Sequence, residues 1–372
     1  MTDAEKAALE KSPLGDRLIA LIKARGPITI ADYMADALGH PHDGYYSARP
    51  AIGAAGDFTT APEISQVFGE LIGVWLVQSW LEMGSPSSFN LVELGPGRGV
   101  LMSDVLRASA IRPGFSNAAS VMLVEASGRL RHDQERRLRA TSAHISWADS
   151  FSECAGGPTL VIANEFFDCL PIRQFVRSES GWRERLVGLD DTGEGLAFTL
   201  AATPPEATPL PDKKDVAVGS VIEISDASAS LASEIAQHLQ KHTGRALIID
   251  YGHAGHGSGD TLQAVRNHAF WPPLSAPGLA DLTAHVDFAA ISRAAVENGV
   301  GVHGPATQGA FLQRMGLTMR VEALAAGKNA EGQAEIHAGA LRLASERQMG
   351  SVFKALCLSS HELPPPPGFE TP

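Results

Sequence analysis

The apolar positions change period twice along the chain. Leu14, Leu18, Leu21 and Ile22 share one face of a helix, and Ser12-Pro13 ahead of them supplies an N-cap and a first-turn proline. Gly26-Pro27 ends that helix, and a second short helix is predicted over residues 30–38. Residues 40–60 (HPHDGYYSARPAIGAAGDFTT) then lose all periodicity and are rich in Gly, Pro and small side chains. A loop of that length is either functional or without fixed structure. Thr60-Ala61-Pro62-Glu63 has the form of a capping box. Behind it Ile64, Val67, Phe68, Leu71, Ile72, Trp75 and Leu76 recur at steps of 3 and 1 and predict one helix, whose stripe and tryptophans belong in a core.

From Phe89 the pattern becomes short apolar or β-branched runs at residues 90–94, 120–125, 144–147 and 159–163, separated by helical patterns that include 100–109 and 129–140. This alternation predicts a parallel sheet. Residues 246–250 read as a fifth parallel strand, 299–303 as a sixth and 351–358 as a late edge strand. Two insertions interrupt the rhythm: 174–224, with β-like pieces around Pro204, Pro205, Pro209 and Pro211, and the Gly/Pro-rich 253–281. Residues 364–367 predict a stiff, exposed tail. The expected organisation is an N-terminal helical segment with a cleft-covering loop (1–88), the sheet core in two parts (89–173 and 245–358) around a β-containing insertion (174–244), and a Pro-rich tail (359–372).

Composition narrows the function. The chain has 372 residues, 44% of them hydrophobic, and a formal charge of −12, so it can bury a large core but lacks the cationic surplus of a nucleic-acid binder. The Arg-rich segment 129–139 also carries Asp133 and Glu135 and is expected to be a solvated face. Cys154, Cys169 and Cys357 are too dispersed for a disulfide framework or a zinc ribbon. His253 and His256 have no third ligand at fixed spacing, so no metal is expected. Residues 1–11 carry Asp3, Glu5 and Glu10 and no apolar run, and the apolar stretch 71–81 is too short to span a bilayer. These features predict a cytoplasmic protein with no membrane insertion. No pattern specifies an oligomeric state.

The most informative segment is residues 90–99, NLVELGPGRG. An apolar strand ends in Glu93, and Gly95, Gly97 and Gly99 lead into an apolar helix whose first turn offers free N–H groups. The spacing is G-x-G-x-G with an acid two residues before the first glycine, which is the pattern of S-adenosylmethionine-dependent methyltransferases and not the G-x-G-x-x-G of dinucleotide sites. Glu125 closes the next strand, 26 residues after Gly99, where a ribose diol would be met; a helix N-terminal charge is the alternative. Asp149, after the third strand, could meet an adenine amino group or serve as a cap. Glu165 and Asp168 follow the fourth strand in ANEFFD, at the sheet edge where ligands bind. Two carboxylates in an apolar context need a partner. A cationic substrate would supply it, and N-capping with an ion pair to Arg173 or Arg177 is the alternative. Asp57, in GDFTT, could join them if the N-terminal segment folds over the sheet edge.

The ordered set HPHDGYY, GDFTTAPEISQVFGE, ELGPGRG, ANEFFDCLP, IIDYG and DLTAHVDF resembles the MidA family, the bacterial and mitochondrial relatives of a methyltransferase-like complex I assembly factor. The resemblance runs from about residue 13 to residue 358. It implies an α/β fold of class I methyltransferase type, with a Rossmann-like sheet, and S-adenosyl-L-methionine as cofactor, held by Gly95, Gly97 and Gly99 with Glu93 near its amino-acid portion and Glu125 on the ribose. It further implies protein-arginine N-methylation, with a respiratory complex I core subunit as the substrate of the mitochondrial member. A guanidinium stays protonated, so carboxylates that pair with it could localise its charge and aim one nitrogen; Glu165 and Asp168 are the candidates. Two other classes compete. One is an assembly protein that binds the cofactor without turnover, and the other a nucleotide-dependent oxidoreductase, which the glycine spacing and the late strand disfavour.

Overall fold

A computed structural model describes residues 11–48, 59–141, 143–205, 208, 210–212, 215–255, 257 and 259–370. The chain divides into two compact units, each drawn from separate stretches of sequence. The first comprises Met1–Phe58, Asp168–Ala229 and Gly255–Asp287, and the second Thr59–Phe167, Ser230–Ala254 and Phe288–Pro372.

The second unit is built on the apolar runs. Its strands are β1 (Phe89–Leu94), β2 (Ala119–Val124), β3 (His144–Ala148), β4 (Thr159–Asn164), β5 (Gly244–His253), β6 (Gly301–Thr307) and β7 (Phe353–Ser359). They pair in the order β6-β7-β5-β4-β1-β2-β3. The first five are mutually parallel, and β7 lies antiparallel between β5 and β6. Every residue of β4 is buried, as a parallel strand covered on both faces requires. The late strand is therefore interior and not at the edge. Its run Ala355–Cys357–Leu358 is buried, which suits a central position, and β6 forms the edge. Chain order reverses between β1 and β4, so the carboxyl ends of these two strands flank the crevice where open α/β sheets bind ligands.

The predicted single helix is two. α1 (Ala61–Ile64) is one turn, and α2 (Gln66–Glu82) starts again after Ser65, which sits in an extended conformation and accepts from Val67 N at 3.3 Å. The capping box does not form: Thr60 makes no side-chain cap, Glu63 is drawn to Arg98 at 3.2 Å, and Ala61 N is taken by the Glu165 carboxylate at 2.7 Å. α2 is apolar nearly all round because it is buried nearly all round. It approaches α3 (Val100–Ser109) so closely that a Cβ at Gly69 would lie 2.5 Å from Asp104 Cβ. The C-terminal segment is exposed at Pro364 and Pro365, as expected, but docks from Pro366 onward. Pro366 and Gly368 are buried, Trp75 Nε1 donates to Pro367 O at 3.1 Å, and Phe369 stacks 5.3 Å from Phe311.

The first unit has its own core. Helix Pro13–Arg25, capped by Ser12 through Gly15 N at 3.0 Å, and helix Ile30–Gly39 contribute Leu14, Leu18, Tyr33 and Met34. An antiparallel sheet of Ile28–Thr29, Arg173–Ser178, Gly181–Leu189, Leu196–Leu200 and Val221–Ile224 and a three-stranded sheet around Gln263–Arg266 complete it.

Candidate functional site

The carboxyl end of β1 carries the most distinctive chemistry of the second unit. Glu93 is 3% exposed, and its Oε2 has no hydrogen-bond partner among the described residues. Burial alone pushes its carboxyl up to about 8. An acid held in this way is at odds with its surroundings until a donor arrives. Gly95, Gly97 and Gly99 all have positive φ (62°, 53° and 74°), so the backbone curls back on itself between β1 and α3. At Gly95 the need for glycine is doubled, because a Cβ there would lie 2.4 Å from Phe166 Cδ2. Gly99 is the N-cap of α3 and supplies no side-chain acceptor, leaving the first-turn N–H groups to face the loop.

At the end of β2, Glu125 is also buried, and burial raises its carboxyl to about 7 against the opposing pull of Ser127 N and Gln134. Ser127 N donates to its Oε1 at 2.8 Å, so the residue partly performs the helix-terminus role offered as its alternative. Helix α4 (Gly128–Leu138) buttresses the glycine loop from this side. Gln134, fully buried, donates through Nε2 to Gly97 O at 2.8 Å and to Glu125 Oε2 at 3.3 Å, while its Oε1 accepts from Trp147 Nε1 at 2.8 Å. Arg137 donates to Arg98 O at 2.9 Å, and Arg131 to Glu125 O at 2.7 Å. The Arg-rich helix is thus more than a solvated face: two of its arginines hold backbone carbonyls of the loop region. Asp149 follows β3, is 81% exposed at its side chain, and pairs with Arg131 at 2.6 Å.

Beyond β4 the chain turns through Glu165, a non-glycine residue with φ of 50°. Such a conformation persists only where surroundings enforce it. Here Glu165 N donates to Ile249 O at 2.9 Å, and its Oε1 accepts from Ala61 N at 2.7 Å and from Asn164 Nδ2 at 3.1 Å. Glu165 therefore caps the one-turn helix α1. Asp250, fully buried towards the end of β5, accepts from Phe166 N at 3.1 Å and Phe167 N at 2.9 Å and so anchors the backbone that carries the Phe166 ring beside Gly95.

Asp168 begins the next stretch of the first unit and is described there. It is 7% exposed, and its carbonyl accepts from Ala284 N at 2.9 Å. Tyr46 donates to Asp281 at 3.0 Å; burial, then the charges of Asp281, Cys169 and Asp168, hold its phenol well above the ordinary value. Residues from HPHDGYY, ANEFFDCLP and DLTAHVDF thus meet within one unit. Of the two arginines expected as partners, Arg173 pairs with Glu184 at 2.7 Å, and Arg177 donates to Ser178 O. Asp57 and His256 lie outside the described residues.

Sequence reasoning missed Gln134, Asp250 as a clamp, and Asn164. Gln134 had a signal, a lone amide at four-residue steps between Leu130 and Leu138 on the buried face of α4. The assembled site offers a buried carboxylate, a second acid on the neighbouring strand, and helix N–H donors around a glycine loop. That set complements an ammonium, a diol and a carboxylate on one ligand.

Comparison with known proteins agrees. Residues 71–306 match a family described as "Putative S-adenosyl-L-methionine-dependent methyltransferase". The chain is 37% identical over 370 residues to the Danio rerio protein arginine methyltransferase NDUFAF7, mitochondrial, covering 94% of this chain and 87% of that one. It is 35% identical over 384 residues to the Homo sapiens protein of the same name, covering 96% and 86%. A crystal structure of a Burkholderia thailandensis protein bound to S-adenosyl-homocysteine superposes with a TM-score of 0.82 at 26% identity, covering 100% of this chain and 95% of that one. The mitochondrial names of the curated relatives overturn the cytoplasmic placement expected from residues 1–11; a few acidic side chains do not fix a compartment.

Proposed function

Because the chain belongs to the S-adenosyl-L-methionine-dependent methyltransferase family matched at residues 71–306, here the MidA family, we propose that it transfers methyl groups to an arginine side chain of a protein substrate. The observation that carries the reading is the cradle at the β1–β4 switch point, where Glu93 holds a buried unpartnered oxygen beside Gly95. The residues present fit the cofactor. Glu93 would accept from its ammonium, the α3 N-terminus would receive its carboxylate, and Glu125 would accept from the ribose hydroxyls. Gly95, Gly97 and Gly99 would let the backbone approach, and Asp149 is the candidate for the adenine side. The sulfonium supplies an activated methyl group that needs no metal and no covalent enzyme intermediate. The protein's part is to orient the cofactor and the target nitrogen in line, and positioning of this kind supplies up to about 7–11 kcal/mol in favourable cases.

Support for arginine as target comes from the names of the relatives. Glu165 and Asp168 remain the candidate carboxylates for a guanidinium, each taken separately because they belong to different units. A complex I core subunit is the first partner to test. Labelled methyl incorporation into arginine of that subunit, dependent on Glu93 and Gly95, is the expected result. Cofactor binding without methyl incorporation into any respiratory subunit would favour an assembly protein.

The buttress is testable on the same footing. Gln134→Leu keeps the volume and removes three hydrogen bonds, so S-adenosylhomocysteine should bind about tenfold more weakly by calorimetry, with helical circular dichroism unchanged. Affinity equal to wild type would show that the loop needs no bridge to Glu125.

A further inference from the structure

One buried polar atom near the site has no assigned role. Asn164, the last residue of β4, is 8% exposed, and its Oδ1 has no hydrogen-bond partner among the described residues. Its orientation is determined by chemistry: Nδ2 lies 3.1 Å from Glu165 Oε1, and a carboxylate oxygen only accepts, so the amide nitrogen must face it and the carbonyl oxygen must turn away. A buried acceptor left without a donor costs about 1–3 kcal/mol, which a native structure retains only for a reason.

The sheet register says what Asn164 turns towards. Glu93 of β1 is opposite Ile162 of β4. Side chains two residues apart on a strand share a face, so Asn164 projects from the same face as Ile162 and Glu93. Two adjacent strands therefore each end in a buried oxygen acceptor without a donor, one from a carboxylate and one from an amide, on one face at the switch point. One hydroxyl could satisfy only one of them. An ammonium, with three N–H bonds and a positive charge, satisfies both and neutralises the carboxylate.

Resting on the reading of this cradle as the cofactor site, we propose that Asn164 is a positioning residue that accepts from the α-ammonium of the cofactor's amino-acid portion alongside Glu93. The pair then makes the site selective for a cofactor that carries its amine. Both acceptors are almost wholly buried and emerge within the last two residues of their strands, which suits a compact ammonium on a held ligand.

The test is calorimetry with three ligands: S-adenosylhomocysteine, its des-amino analogue, and methylthioadenosine, which lacks the whole amino-acid portion. Wild type should prefer S-adenosylhomocysteine over the des-amino analogue by at least about tenfold. Asn164→Leu should shrink that preference about tenfold by weakening S-adenosylhomocysteine alone. Unchanged binding of the des-amino analogue and methylthioadenosine then shows that the variant is folded, and Asn164→Ala serves if leucine disturbs the fold. Equal wild-type affinity for the amine-bearing and des-amino ligands overturns the proposal. So does an undiminished preference in both variants, as does a variant whose only change is a higher KM for the protein substrate. If wild type binds methylthioadenosine and S-adenosylhomocysteine not at all, the cofactor reading itself has failed.

Discussion

Gly95→Val should abolish cofactor binding. The substitution combines two penalties at one atom: a β-branched side chain forced to a φ of 62°, and a Cβ placed 2.4 Å from the Phe166 ring. The Phe166 backbone is anchored, because its N–H and that of Phe167 donate to the buried Asp250 carboxylate. The clash is relieved only by opening the glycine turn or by swinging the Phe166 ring out of its place, and either reshapes the cradle. Affinity for S-adenosylhomocysteine should fall more than about 100-fold, since each cofactor hydrogen bond to a charged group that is lost costs about 1.5–3 kcal/mol. Calorimetry, with circular dichroism to verify folding, is the measurement. Affinity within a few-fold of wild type would remove the glycine turn from the binding site.

Glu93→Gln should act in opposite directions on binding and on stability. In the ligand-free protein burial holds the Glu93 carboxyl at about 8, against an ordinary value of 4.5. Between those pH values the unfolded chain is ionised at this position while the folded chain keeps its proton. The folded state therefore loses stability steadily as pH rises from 4.5 to about 8. Glutamine is neutral at every pH and escapes that loss, so the variant should melt above wild type at pH near 8 and close to it near pH 5. Binding runs the other way. A cationic ammonium stabilises the carboxylate, so at pH 7 the wild type should release a proton from Glu93 on taking up S-adenosylhomocysteine, and its affinity should rise with pH up to about 8. Glu93→Gln should release fewer protons than wild type, keeping only the share that Glu125 gives up to the ribose, and bind at least about tenfold more weakly. Calorimetry in buffers of different ionisation enthalpy reads the proton directly. A wild type with no proton release would separate Glu93 from the ammonium.

What was legible in the sequence was what is local. The strand that ends in Glu93, the glycine turn and the Ser12 cap each depend on a few consecutive residues, and their geometry follows from backbone sterics. The parallel sheet was legible because strands buried on both faces leave continuous apolar runs. Partnerships made at long range were not. Glu63 goes to Arg98 and Ala61 N to Glu165, and that competition splits the helix which periodicity drew as one. The insertion of β7 between β5 and β6 depends on pairing across more than a hundred residues of chain. Gln134, Asp250 and Asn164 are ordinary amides or acids in the sequence and gain meaning only from what surrounds them in the fold.

The capping of α1 by Glu165 has a thermodynamic corollary. Consecutive residues, Glu165 and Phe166, carry the carboxylate that receives Ala61 N and the aromatic ring that closes on Gly95. A movement of α1 must then be felt at the glycine turn, and linkage is reciprocal: whatever ligand tightens the turn tightens α1 by the same factor. Occupancy at the sheet edge is in this way reported at the first turn of the GDFTTAPEIS block, so amide exchange at Ala61 becomes a gauge of how full the cradle is.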